Sequence, residues 1–161
     1  VSPDGRRMYL SLAGAKTHLQ ETLGAPAVRA LEQSVLSPVG WSLGEGFYGE
    51  ETDGVNRWAW AVSPATLTIR NSAGRAQSVV LAAEIDAQPG STLRWSYANG
   101  QSGAFAMPGP TKKLRLPLES PPGRSDLVLR ADGGSIAPPS DGRDLRMTLR
   151  NPSLVVVPHP R

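Results

Sequence analysis

The sequence predicts a mostly β chain: an antiparallel β-sandwich, jelly-roll-like, preceded by a short α-helical hairpin. From Val39 onward, apolar and polar residues alternate with period two in short runs. Gly, Pro, Asn and Asp separate those runs, with no helical segment between them, which is the pattern of a sandwich and not of βα units. Before Val39 the spacing is three and four.

The hairpin is predicted over residues 13–23 and 26–36. Leu19 and Leu23 are four apart, and Val28, Leu31 and Val35 follow at three and four. Gly24 stops the first helix, and Pro26 fits the first turn of the second, where its missing N–H costs nothing. Helices this short and only moderately amphipathic are expected to pack on a larger body. The expected organisation is therefore an N-terminal segment 1–38 and a sandwich domain 39–161.

Strands are predicted at 57–61, 65–70, 77–85, 92–97, 113–118, 126–130, 145–149 and 153–157. Turn signals lie between them: Ser63-Pro64, Asn71 to Gly74, Gln88-Pro89-Gly90, Asn99-Gly100, Pro121-Pro122-Gly123, Asp132-Gly133-Gly134 and Asp141-Gly142. Pro117 interrupts one run, which places that strand at a sheet edge or at a bulge. Residues 133–143, rich in Gly, Pro, Ser and Asp, read as an exposed loop.

Composition narrows the function classes. A chain of 161 residues suits one domain, and 39% hydrophobic with 19% charged residues is neither a disordered nor a membrane composition. The longest apolar run, Val79 to Ala83, ends at Glu84, far short of the roughly 20 residues that a spanning helix needs. The opening VSPDGRR has no initiator Met and no secretion-signal pattern, and reads as the start of an excised piece. Without cysteine there is no disulfide framework and no thiolate chemistry, and no compartment is singled out. The net charge of +3 is uneven, because Glu45, Glu50, Glu51 and Asp53 crowd one stretch without a base. The arginines are spread singly along alternating segments, the pattern of solvated strand faces, so no nucleic-acid partner is predicted.

Catalytic patterns are thin. Gly40-Trp41-Ser42-Leu43-Gly44 fits the nucleophile-elbow form, but that elbow needs a strand-to-helix turn on a parallel sheet, and Glu45-Gly46-Phe47-Tyr48-Gly49 is no helix. It reads as a strand with glycine at each end. His18 and His159 cannot furnish a zinc site, and neither a metal nor an organic cofactor is predicted. The carboxylates of 45–53 could serve as a glycosidase pair only if burial raised one of them, which a turn-rich stretch does not promise.

The tryptophans carry the functional reading. In a strand Trp58 and Trp60 share one face, roughly 6 to 7 Å apart, and Ala59 and Ala61 take the other. If that face is solvated, the indoles can stack on successive sugar rings while Tyr48, Glu50, Glu51 and Arg57 bond hydroxyls. If it is buried, at least one tryptophan is core, as large aromatics on sandwich strands usually are. Trp95 and Tyr97 form a second same-face pair with the same two readings.

Gly46-Phe47-Tyr48 with Glu50-Glu51, then Arg57-Trp58-Ala59-Trp60, a strand, Asn71 and a further strand, resembles the β-sandwich appended to some bacterial cell-envelope membrane proteins. Glycosyltransferase-like and sulfatase- or phosphoglycerol-transferase-like enzymes are among those proteins. The upstream Leu36-Ser37-Pro38-Val39 and downstream Asp141-Gly142-Arg143-Asp144-Leu145-Arg146-Met147 resemble the flanks of the same module. Ala59 stands where such sequences often carry a second charged residue, and no catalytic residue carries over. The resemblance implies an extracytoplasmic module, periplasmic or cell-surface, tethered through a parent membrane protein and acting on glycans or lipid-linked sugars. The expected function is a non-catalytic, carbohydrate-binding-module-like accessory domain that binds through Tyr48, Glu50, Glu51, Arg57, Trp58 and Trp60. The alternative is a structural or protein-interaction sandwich with no glycan affinity, and an enzyme working through the carboxylate cluster is the third possibility.

Overall fold

The computed structural model describes residues 37–157. The hairpin predicted over 13–36 and His159 lie outside the described residues.

The described chain is mostly β. Its strands are β1 (Val39–Leu43), β2 (Glu51–Thr52), β3 (Arg57–Ala61), β4 (Ala65–Asn71), β5 (Gln77–Ala87), β6 (Thr92–Tyr97), β7 (Ser102–Ala106), β8 (Thr111–Ser120), β9 (Gly123–Ala131) and β10 (Met147–Val156). They form two five-stranded antiparallel sheets, in the orders β1-β4-β9-β6-β7 and β2-β3-β10-β5-β8. The first is called sheet A and the second sheet B below.

The alternation that predicted the strands is also what joins the sheets. Along β5, Val79, Leu81, Ala83, Ile85 and Ala87 are buried while the residues between them are partly exposed. Leu67 and Ile69 of β4, Leu93 of β6, Leu114, Leu116 and Leu118 of β8, and Leu127 and Leu129 of β9 meet them in one core. Burying such a side chain contributes about 1.5–3 kcal/mol, so a continuous inward face on both sheets is what holds them together.

Two details depart from the sequence expectation. The runs predicted at 145–149 and 153–157 are one strand, β10, whose register against β5 shifts between Arg150 and Ser153. Asn151 at that irregularity has φ 47°, the left-handed region that Asn tolerates better than most residues. The short edge strands β2 and β7 were not predicted: β2 has two residues, and β7, SGAFA, is too poor in large apolar groups to show a period. The Gly40–Gly44 motif is strand β1 at the edge of sheet A, in an antiparallel pair with β4, and its surroundings offer no elbow. Pro117 does lie on an edge strand, β8, opposite Val80. Residues 132–146 form a long loop between β9 and β10.

Candidate functional site

Strand β3 decides which way the tryptophans face. Ala59 and Ala61 point inward, 2% and 0% exposed, and Trp58 and Trp60 are half-buried on the outer face of sheet B. The inward positions suit methyl groups because Leu149 and Met147, their partners on β10, already fill the interior beside them. The reading that puts a tryptophan of this pair in the core is thereby corrected.

Register then brings distant residues to the indoles. Trp58 stands beside Arg150, which stands beside Glu84, and Trp60 beside Thr148, which stands beside Asp86. Asp53, Asn56, Trp58, Trp60, Asp86, Thr148 and Arg150 line an open cleft of about 300 Å³. Asp86 accepts a bond from the Thr111 hydroxyl at 2.6 Å and lies 3.7 Å from the Arg150 guanidinium. Thr148 is 3% exposed, and its Oγ1 is buried with no hydrogen-bond partner among the described residues.

The β2–β3 turn supplies the rim. Asp53 Oδ1 accepts the backbone N–H groups of Val55 and Asn56 at 2.9 and 2.6 Å, and Oδ2 accepts the Asn56 amide at 3.2 Å. These bonds, the Asn56 N–H foremost, hold the Asp53 carboxyl below its ordinary value. Asn151 ties the turn to β10: its Oδ1 accepts the Arg57 N–H and its Nδ2 donates to Asn56 Oδ1, each at 3.0 Å.

The residues predicted from sequence divide between two faces. Glu51 pairs with Trp58 in the ladder and accepts its indole N–H at 3.1 Å, which fixes that ring. Arg57 projects from the face opposite the tryptophans and lies 3.6 Å from Glu50, so this ion pair stands apart from the cleft. Tyr48 donates its backbone N–H to the Trp60 carbonyl at 2.8 Å, and its ring lies under the Arg143 guanidinium, 4.7 Å from centroid to Cζ. Arg143 also grips Asp141 at 2.5 Å, and its hydrogen bonds hold that carboxyl down at about 2 while the Arg143 pKa rises in turn. Sequence reasoning missed Asn56, Asp86, Thr148 and Arg150 as site residues. Only alternation marks them as outward, and nothing local states that β10 lies beside β3 with β5 next to it.

The second aromatic pair behaves differently. Tyr97 is buried and donates its hydroxyl to Ser120 Oγ at 3.3 Å, and Trp95 packs half-buried against the core. On the outer face of sheet A a second cleft, of about 430 Å³, has small residues along its floor and Arg94 and Arg130 at its side. Arg94 is engaged with Asp132 at 3.3 Å. No group of three metal-ligating side chains occurs among the described residues.

No known family model matches the chain, and no curated protein resembles it in sequence. Solved structures match it in fold alone. TmCBM61 in complex with beta-1,4-galactotriose is 11% identical over 75% of this chain and 90% of its own, with a TM-score of 0.40. A beta-1,3-glucan binding CBM6 from Bacillus halodurans is 14% identical over 74% of this chain and 96% of its own, with a TM-score of 0.37. A family two carbohydrate esterase from Cellvibrio japonicus is 10% identical over 76% of this chain, with a TM-score of 0.40, and the match spans only 36% of the esterase. At these identities and TM-scores no residue role and no ligand passes from those proteins to this chain.

Proposed function

We propose that this chain is a non-catalytic carbohydrate-binding module and that the outer face of sheet B around Trp58 and Trp60 holds the glycan. One observation carries the reading: two half-exposed tryptophans share an outward face and open on a cleft lined with carboxylate, amide and guanidinium groups. Indole faces stack on the apolar faces of sugar rings, and lining groups with unused donor or acceptor capacity, such as the Arg150 guanidinium and the second Asp86 oxygen, bond hydroxyls. We read the strand order as a jelly roll with β1 and β2 added at the edges. We further propose that the module is an extracytoplasmic accessory domain of a larger bacterial cell-envelope protein, which presents a glycan or lipid-linked sugar to it. The sequence resemblance supports that placement.

Affinity electrophoresis and calorimetry of the full chain against β-1,4-galactan, cellohexaose and β-1,3-glucan test the binding. Trp58→Ala and Trp60→Ala are expected to weaken it at least about tenfold each, as loss of an aromatic anchor does, with far-ultraviolet circular dichroism unchanged. Retention of no neutral glycan by the unaltered chain sinks the proposal. In that event a second reading, an interaction domain without glycan affinity, is favoured by Val155, a large apolar residue 58% exposed on the same face.

A further inference from the structure

The floor of the cleft holds an anomaly. Thr148 Oγ1 is a buried hydroxyl with no partner among the described residues, in a residue that lines the cleft between Trp60 and Asp86. An unmet buried polar group is costly, and valine has the same shape without that cost. Beside it, Asp86 uses one oxygen for Thr111, and its other oxygen lies 3.7 Å from Arg150, beyond hydrogen-bond reach. Arg150 in turn keeps guanidinium N–H groups for a ligand. Acceptor, donor and hydroxyl thus lie together beside the two indoles.

The charges of the lining point to a class of sugar. Among the described residues of the lining, Asp53 and Asp86 face one base, Arg150, and Glu51 adds a further carboxylate at the Trp58 ring. Of the nearest bases outside the lining, Arg143 is engaged with Asp141 and Tyr48, and Lys113 stands beyond Glu84 on the edge strand. A carboxylated or phosphorylated glycan entering here would meet like charge in a partly desolvated cleft. An uncharged sugar would not.

We propose that Asp86, Thr148 and Arg150 are the hydroxyl-reading floor of the Trp58/Trp60 cleft and restrict it to uncharged glycans. The inference rests on the glycan-binding reading above. One staggered step about χ1 of Thr148 exchanges its Oγ1 with a neighbouring position and turns the hydroxyl toward the ligand. There it both donates and accepts, between the ring stacked on Trp60 and the Asp86 carboxylate.

Calorimetry and thermal melts of the full chain with Thr148→Val, Asp86→Asn, Arg150→Gln, Trp58→Ala and Trp60→Ala test it. The probes are β-1,4-galactan, cellohexaose, β-1,3-glucan and polygalacturonate. Thr148→Val is expected to raise Tm by a few degrees while weakening neutral-glycan binding about tenfold, opposite signs that a purely structural residue would not give. Asp86→Asn and Arg150→Gln are expected to weaken it by about tenfold or more each, and polygalacturonate is expected not to bind. If the tryptophan variants lose binding while all three floor variants retain it, the floor assignment is overturned and the glycan-binding reading stands. Polygalacturonate retained as well as the neutral probes overturns the charge restriction. Retention of polygalacturonate alone, abolished by Arg94→Ala with Arg130→Ala, overturns both and moves the site to sheet A. No retention of any probe overturns both.

Discussion

Arg143 serves two neighbours, covering the Tyr48 ring and bonding the Asp141 carboxylate, and its effect can be read by titration. Asp141 is held at about 2 against an ordinary 3.8, mainly by the Arg143 side chain and then by the Arg143 N–H. A depressed folded-state pKa contributes stability that is present above the ordinary value and lost as pH falls through the folded one. The 132–146 loop should therefore loosen between about pH 4 and pH 2, visible as loss of ordering at Tyr48 in NMR spectra. In Arg143→Ala, the Asp141 midpoint should return most of the way toward 3.8, and a midpoint that stays near 2 would remove Arg143 as the cause. Asp53 and Asp132, held down chiefly by backbone N–H groups, carry the same sign. Gly46 gives a second prediction at this scale. Its φ is +87°, and a Cβ there would meet the Pro64 carbonyl oxygen at 2.4 Å, so Gly46→Ala should cost more than about 2 kcal/mol in urea unfolding.

Among the elements, β10 organises the site. Its irregularity at Asn151 turns that side chain toward β3 and the turn that carries Asp53 and Asn56. Asn151→Ala loses both side-chain bonds and keeps the unfavourable φ. It should destabilise by about 1–2 kcal/mol in chemical denaturation and weaken glycan binding through a looser rim. Asn151→Gly relieves the backbone and should cost less. How much was legible follows from the same strand. The period of two in Met147 to Leu149 and again in Leu154 to Val156 is plain, but Asn151 and Pro152 break it, so one bulged strand reads as two. Residues 57–61 were legible as a strand with both indoles on one side. Their direction was not, because alternation says which residues share a face and never which face is inward. The buried pair turned out to be the alanines.

Across the whole molecule, the core is legible in outline: every long strand shows its inward set, from Leu67 and Ile69 to Leu127 and Leu129. Leu129→Ala, at a fully buried position, should cost about 2–5 kcal/mol by removing transfer energy and leaving a cavity. The site was half legible. Trp58, Trp60 and Glu51 are close in the chain and stood out together, whereas Asp86, Thr148 and Arg150 reach the cleft only through the β3-β10-β5 order. Strand order is a property of the assembled sheets, set by long-range burial, and no local run encodes it.

Pro117 bears on how these molecules meet one another. It sits at the rim of sheet B in a row with Val80 and Val155, flanked by exposed Arg115 and Glu119. A proline offers no N–H to an incoming strand, and charged neighbours oppose one further, so the sheet cannot grow sideways through this edge. Pro117→Val removes that guard and should raise thioflavin-T-positive aggregation on mild heating. In the natural chain the apolar row can be approached only from above. At this rim, copies crowded together therefore have a face to offer one another and not the β8 edge, a bias toward reversible contact over extension through that strand.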